Sequence, residues 1–283
     1  MTEPARLAGK RALVTGGSRG IGAAIARRLA ADGATVAVNY VADQSSAEKL
    51  VSELTDKGHQ AAAFRADVSE RAQTHDLVQR VVAELDGLDI LASNAGVEHF
   101  GPLGSITQAD FDRVFHINVG GQLFSTQAAA AVMISGGRIL LTSSVSARIG
   151  IYQHTLYAAS KAAVSAMVLN LAPELAERGV AINAIAPGGT ATDMAAEVGA
   201  LYTPLAPRDF AAEAVVTSKN ALGRLTDPAE IAAVAGFLLS PDASYLTGAT
   251  VDASGGWMWF RQPVGVPLAS ESHAMAGGRR CGT

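Results

Sequence analysis

At 283 residues, 49% of them hydrophobic and 17% charged, the chain suits one large α/β domain or two small ones and can bury a sizeable core. A net charge of −4 without any basic run argues against a nucleic-acid surface, and the single cysteine, Cys281, excludes an intramolecular disulfide and fits a reducing cytoplasm. The polar start, MTEPARLAGK, does not read as a signal peptide, and no apolar run is long enough to span a bilayer, so a cytoplasmic protein with no membrane partner is expected.

The first apolar run, Arg11 to Thr15, predicts a strand, and the glycine-rich turn from Gly16 to Gly22 then opens a helix. Strand, glycine turn and helix in that order suit a pyrophosphate, because glycines permit close backbone approach and the helix N-terminus offers free N–H groups. The spacing is G-x-x-x-G-x-G. A second strand, Ala34 to Tyr40, ends in Asn39 and Tyr40, where an acid would bind the 2′-hydroxyl of NAD and its absence leaves room for a 2′-phosphate. Arg19 can reach the same region. Asp43 is either a loop acid or the cap of the helix over Ser45 to Lys57.

The third strand, Ala61 to Ala66, leads to Asp67 and Val68, where an adenine amino group could be held. A helix from Arg71 to Asp86 returns to a fourth strand, Leu88 to Ser93, which exits through Asn94, Ala95 and Gly96. Glu98 and His99 beyond it read as exposed loop residues. One long helix is expected over Gln108 to Met133, carrying Asn118, and a fifth strand over Gly136 to Ser144. A helix from Tyr157 to Arg178 precedes a sixth strand, Val180 to Ala186, which ends at Pro187, Gly188 and Gly189.

The pattern then breaks into short helical pieces between Thr190 and Leu222, placed where a lid would cover the strand ends. A helix over Asp227 to Leu239 and a strand over Ala249 to Asp252 follow. The regular alternation, without linker or repeat, predicts one domain over 1–260, a Rossmann-type doubly wound parallel sheet of seven strands, and a flexible tail over 261–283. The six histidines form no ligand spacing with acids or cysteine, so no metal is expected.

Ser144 lies thirteen positions before Tyr157, and Lys161 four positions after it. Residues four apart share a helix face, so the phenol and the ammonium can enter one pocket. An ammonium beside a phenol favours its ionised form and makes it useful in acid–base work near neutrality. Ser143 could be mistaken for the functional serine, but the spacing favours Ser144. His154 could touch substrate or cap the helix. Tyr152, Met194, Tyr202, Trp257 and Trp259 could form a ring-stacking wall, and the two tryptophans could equally be subunit contacts.

Taken in order, T15-G-G-S-R-G-I-G22, Asn94-Ala95-Gly96, Asn118, Ser144, Tyr157-x-x-x-Lys161 and Pro187-Gly188 resemble the short-chain dehydrogenase/reductase family over about Leu7 to Phe260. The resemblance implies a nicotinamide cofactor, NADPH with NADH as the weaker alternative. It would be held by Gly16, Ser18, Arg19, Gly20, Ile21, Gly22, Asn39, Tyr40, Asp67, Val68, Asn94, Ala95, Gly96, Tyr157, Lys161, Pro187, Gly188, Thr190 and Thr192. It implies Tyr157 as proton donor or acceptor, Ser144 positioning the substrate oxygen, and Lys161 binding the nicotinamide ribose and lowering the tyrosine pKa. Asn118 would hold a water of a proton relay, and the family resemblance also implies a homotetramer.

Within the family, the stretches VNY (38–40), SNAGVEHFG (93–101), FDRVFHINVGGQ (111–122) and APGGTATDM (186–194) are similar to fungal hydroxynaphthalene reductases and polyketide ketoreductases. There is broader similarity to β-ketoacyl-carrier-protein reductases. The naphthol reductases carry one more residue between serine and tyrosine, so the loop from Ser146 to His154 is expected to differ in shape. Ser146, His154, Gly189, Met194, Tyr202 and Trp257 are the candidate substrate contacts. The expected reaction is NADPH-dependent reduction of a cyclic or aromatic polyketide-type ketone. The rival readings are a β-ketoacyl thioester reductase, an alcohol or sugar dehydrogenase running oxidatively, and a non-catalytic dinucleotide sensor.

Overall fold

The structure, a computed structural model, describes residues 5–198, 201, 217 and 220–257. The expected lid over 199–200 and most of 202–219, with Tyr202, falls outside the described residues, as do Trp259 and the tail. Seven parallel strands form one sheet: β1 (Arg11–Thr15), β2 (Thr35–Tyr40), β3 (Ala61–Arg65), β4 (Ile90–Ser93), β5 (Arg138–Thr142), β6 (Ala181–Pro187) and β7 (Thr250–Ala253). Their spatial order is β3-β2-β1-β4-β5-β6-β7, so the chain reverses its direction of travel across the sheet between β1 and β4. In such sheets that reversal opens the crevice where ligands bind, beyond the carboxyl ends of the strands.

Because side chains alternate along a strand, each strand feeds two cores. Ala12, Val14, Val36, Val38, Ile90, Ala92, Leu140 and Ile185 face one side, with α1 (Gly20–Ala31) and α2 (Gln44–Asp56). Leu13, Ala37, Leu91, Ile139, Leu141, Ile182 and Ala184 face the other, with α3 (Arg71–Leu85). Burial on both faces explains why the strands read as continuous apolar runs rather than alternating ones.

The long helix expected over Gln108 to Met133 is instead three pieces: α4 (Gln108–Phe115), a π-helical turn (His116–Gly120) and α5 (Gly121–Val132). In the turn, the Gly121 N–H reaches back five residues to the His116 carbonyl. A wider turn of this kind, common at functional sites, rotates one residue out of helical register. Here that residue is Asn118, which is fully buried. The remaining helices are α6 (Thr155–Ala176), α7 (Asp193–Val198) and α8 (Pro228–Leu238), and α8 packs beside α1. Asp227 caps α8 and shares a capping box with Glu230, with Pro228 in the first turn, as Asp-Pro at that point predicts.

Candidate functional site

Thr15 ends β1, and its buried hydroxyl accepts the main-chain N–H groups of Asn94 (3.0 Å) and Ala95 (3.3 Å) just past β4. The Asn94 amide donates back to the Gly16 carbonyl at 3.2 Å, so the two strand exits flanking the sheet's reversal are cross-tied. Gly16 sits at φ +59° with its α-carbon facing Ala95, where an added Cβ would lie 2.8 Å from the Ala95 Cα. Only glycine fits there.

The helix this turn opens, α1, has no side-chain cap at Arg19 and no acid in its first turn, whereas α4 and α8 each carry a full capping box. Its leading N–H groups therefore have no carboxylate or hydroxyl of the chain itself as partner, which is what an anion-binding helix start requires. Thr192 reaches over the same turn from beyond β6, and a cleft of about 630 Å³ starts at Gly20 and runs along α1 past Arg27 and Arg28 towards the start of α8 at Pro228. Thr190 is buried, its hydroxyl donating to the Gly188 carbonyl at 3.1 Å, and Gly188 packs on Ser254. The residues present thus fit a dinucleotide pyrophosphate.

Asn39 and Tyr40 are placed differently from the expectation that they meet the adenosine ribose. Asn39 is buried, its amide donating to the Phe64 (3.2 Å) and Ala66 (3.0 Å) carbonyls and its Oδ1 accepting the Gly16 N–H at 3.3 Å. It clamps β2, β3 and the glycine turn together, and Tyr40 is buried in the core beside it. Asp43 caps α2 by accepting the Ser46 N–H at 3.0 Å, and those hydrogen bonds hold its carboxyl below the usual range. Arg19 is exposed near Asp43. Asp67 folds into a local turn with Ser69 (2.7 Å to its hydroxyl), and Val68 is buried against Gly121.

The second half of the site forms where β5 meets α6. Ser143 points away from it, its hydroxyl donating to the Lys161 carbonyl (2.9 Å) and lying 2.8 Å from the Ser165 hydroxyl. Ser144 accepts the Ser146 N–H at 3.1 Å, and its hydroxyl lies on the Tyr157 side, where it lowers the phenol pKa. Lys161 Nζ donates to the Thr142 carbonyl at 2.9 Å and stands 5.4 Å from the centre of the Tyr157 ring. Burial drives the phenol pKa up, the nearby Glu98 carboxylate adds to that, and the Ser144 hydroxyl opposes both. The pKa of Lys161 is drawn down by burial, against the effect of Glu98, to about 8.

The Asn118 side chain is locked to Val97, accepting the N–H at 2.8 Å and donating to the carbonyl at 2.9 Å, and it also donates to Ser160 (3.0 Å). Ser160 in turn donates to the Tyr157 carbonyl at 2.7 Å. Gln122, one turn beyond Asn118, accepts the Thr142 N–H (2.8 Å) and donates to the Thr142 (3.1 Å) and Asn118 (2.9 Å) carbonyls. Neither Ser160 nor Gln122 stands out in the sequence. A glutamine four residues after an asparagine on one helix face was the only available signal.

The substrate side departs most from expectation. His154 does not line the pocket: its ring is buried, stacked between Phe100 (4.2 Å between centroids) and Tyr157 (4.6 Å), with Nε2 2.6 Å from Glu98 Oε2. It occupies the first position before α6 but makes no side-chain cap. Glu98 and His99 are not exposed loop residues, since their side chains keep only 10% and 9% of their surface. Trp257 is buried with Val145 and packs against Ile149 and Leu225, and Ser146 is also buried. Tyr152 points outward, 55% exposed. Met194 and Gly189 are half-buried at the strand-end side.

A profile described as enoyl-(acyl carrier protein) reductase matches residues 16–258. The short chain dehydrogenase/reductase dmxR18 of Cryptosporiopsis is 43% identical over 256 residues, which is 89% of this chain and 97% of the relative. Hydroxynaphthalene reductase arp2 of Aspergillus fumigatus is 41% identical over 245 residues, 86% of this chain and 90% of the relative. Among solved structures, the landomycin C-6 ketoreductase LanV with bound NADP and rabelomycin superposes with a TM-score of 0.79 at 33% identity, covering 89% of this chain and 97% of LanV. Among the described residues no helix is long and apolar enough to cross a membrane, and no group of His, Cys, Asp and Glu could hold a metal ion. A sheet that reverses beside a glycine turn, a tyrosine one helical turn from a buried lysine, and relatives of nearly equal length at this identity lead to one conclusion: the chain is an oxidoreductase of the short-chain dehydrogenase/reductase family.

Proposed function

We propose that the protein reduces a cyclic or aromatic polyketide-type ketone to a secondary alcohol with NADPH, in a reducing cytoplasmic compartment. The observation that carries the reaction class is Tyr157 beside Ser144, with Lys161 Nζ 5.4 Å from its ring centre, where strands β4 and β5 end. NADPH, when bound, supplies the hydride to the carbonyl carbon. Negative charge then grows on the carbonyl oxygen, and Ser144 and Tyr157 are two donors placed to meet it. Tyr157 gives up its proton to that oxygen. Lys161, held by the Thr142 carbonyl, sets a positive charge beside the tyrosine and would bind the nicotinamide ribose of the cofactor.

The substrate class is supported by the hydroxynaphthalene reductase and the rabelomycin-bound ketoreductase among the relatives. It does not draw on an aromatic wall, since Trp257 is packed into a small core with Val145 and Tyr152 is 55% exposed. The test compares kcat/KM for a tetralone-type ketone and an acetoacetyl thioester with NADPH in excess. The ketone is expected to lead by about tenfold, equivalent to about 1.4 kcal/mol. A thioester preference of that size would move the enzyme to the acyl-chain reductases.

NADPH is favoured over NADH because β2 ends without a free acid: Asn39 is buried, Asp43 is committed as a helix cap, and Arg19 is exposed nearby. Arg19→Ala is expected to weaken NADPH about tenfold, in keeping with the ~1.5–3 kcal/mol of a hydrogen bond to a charged group, and to leave NADH nearly unchanged. Equal kcat/KM for both cofactors in the unmodified enzyme would refute this. The family resemblance further supports a homotetramer, whose mass light scattering at micromolar concentration measures.

A further inference from the structure

Glu98 and His154 come from segments 56 residues apart, yet their side chains meet at 2.6 Å directly behind the tyrosine. The His154 ring fills the space between Phe100 and Tyr157, nearly parallel to both, with interplanar angles of 13° and 19°. The two segments are joined a second time by the Gly101 N–H donating to the Gln153 carbonyl at 2.9 Å. Arg113 of α4 donates to the Glu98 main-chain carbonyl at 3.1 Å, further fixing the residue. Such enclosure of a carboxylate is costly, and an enclosed acid that already has a structural partner still projects its charge through a poorly screened interior.

We infer that Glu98 and His154 act as a positioning pair for Tyr157, the imidazole ring fixing the plane of the phenol and the carboxylate holding it in its proton-donating form. This deepens the proposed function and rests on Tyr157 being the proton donor. Lys161 alone would favour the phenolate, which suits oxidation of an alcohol. A negative charge on the opposite side favours the phenol, which suits reduction of a ketone. The charged and titratable groups around the tyrosine and the pair are Glu98, His154 and Lys161 at the tyrosine itself, Arg113 of α4 on the Glu98 main-chain carbonyl, and His99 of the segment after β4, 3.7 Å from Asp110 of α4. Of these, Glu98 acts on both functional groups, raising the pKa of Tyr157 and of Lys161.

The sign follows. Reduction needs a protonated Tyr157 and a charged Lys161, so it is sustained at low pH and lost as pH rises through the basic limb. Removing the Glu98 charge lowers both pKa values, and the limb moves to lower pH. Glu98→Gln keeps the shape and a hydrogen bond to His154, and should shift the basic limb of kcat for ketone reduction downward by about one unit. Its low-pH plateau should stay within a few-fold of the parent, and Glu98→Asp should restore the limb. A Glu98→Gln limb that stays in place, or equal loss at every pH in both variants, overturns the inference and leaves a purely structural contact. Should Glu98→Gln fail to fold, His154→Gln, which releases the carboxylate from its anchor, takes its place with the same expected direction, and an unmoved limb there overturns the inference equally. Tyr157→Phe is run alongside: if it still turns over, the proton-donor reading itself has failed, whereas an inactive Tyr157→Phe beside an unmoved limb condemns only the pair.

Discussion

Tyr157→Phe is expected to lower kcat for ketone reduction by about 10²–10⁴-fold, the usual contribution of general acid catalysis, while the dissociation constant for NADPH stays within a few-fold. The substitution deletes one oxygen from a side chain whose ring stays stacked on His154 at 4.6 Å, so packing is retained. What disappears is the hydroxyl beside Ser144 and with it the proton that the alkoxide must receive. Ser144 remains to stabilise the developing charge, which is why residual turnover is expected rather than none. Stopped-flow or steady-state NADPH oxidation reads the effect, and fluorescence titration reads the binding. A loss below tenfold would mean that another group or water delivers the proton.

Gly22→Ala is expected to strike the other half of the site. A Cβ at Gly22 would stand 2.1 Å from the Gly16 carbonyl oxygen and 2.7 Å from Asn94 Nδ2. Both are parts of the tie between the β1 and β4 exits, and the carbonyl is backbone that cannot simply rotate aside. Overpacking of this kind costs about 1–3 kcal/mol. Placed on the glycine turn, that cost should weaken NADPH about ten- to a hundredfold and lower the melting temperature of the apoprotein. Gly104→Ala, where an added Cβ meets nothing within 4 Å, is the control and should change neither. An unaltered NADPH affinity in Gly22→Ala would show that the turn is not part of the cofactor site.

The sequence by itself determined the alternation of strands and helices, because the central strands are buried on both faces and each helix needs an apolar stripe against the sheet. It also determined the glycine turn, the Asp227-Pro228 helix start, and the shared face of Tyr157 and Lys161. All of these depend on neighbours within a few residues. The tertiary structure decided what depends on distant partners. Asn39 looked available at a strand end, but carbonyls of the adjoining β3 segment claim its amide. The helix over 108–133 looked continuous, but Val97 draws Asn118 inward and a π-helical turn breaks it. Trp257 looked like a pocket wall and is the floor of a small core under Val145. Glu98 looked like a solvated loop acid, because nothing near it in sequence can show that a histidine 56 positions later folds back onto it. Local periodicity reports which face of an element is buried, whereas the pairing of buried polar groups is settled only when separate elements pack and every enclosed donor and acceptor must find a partner.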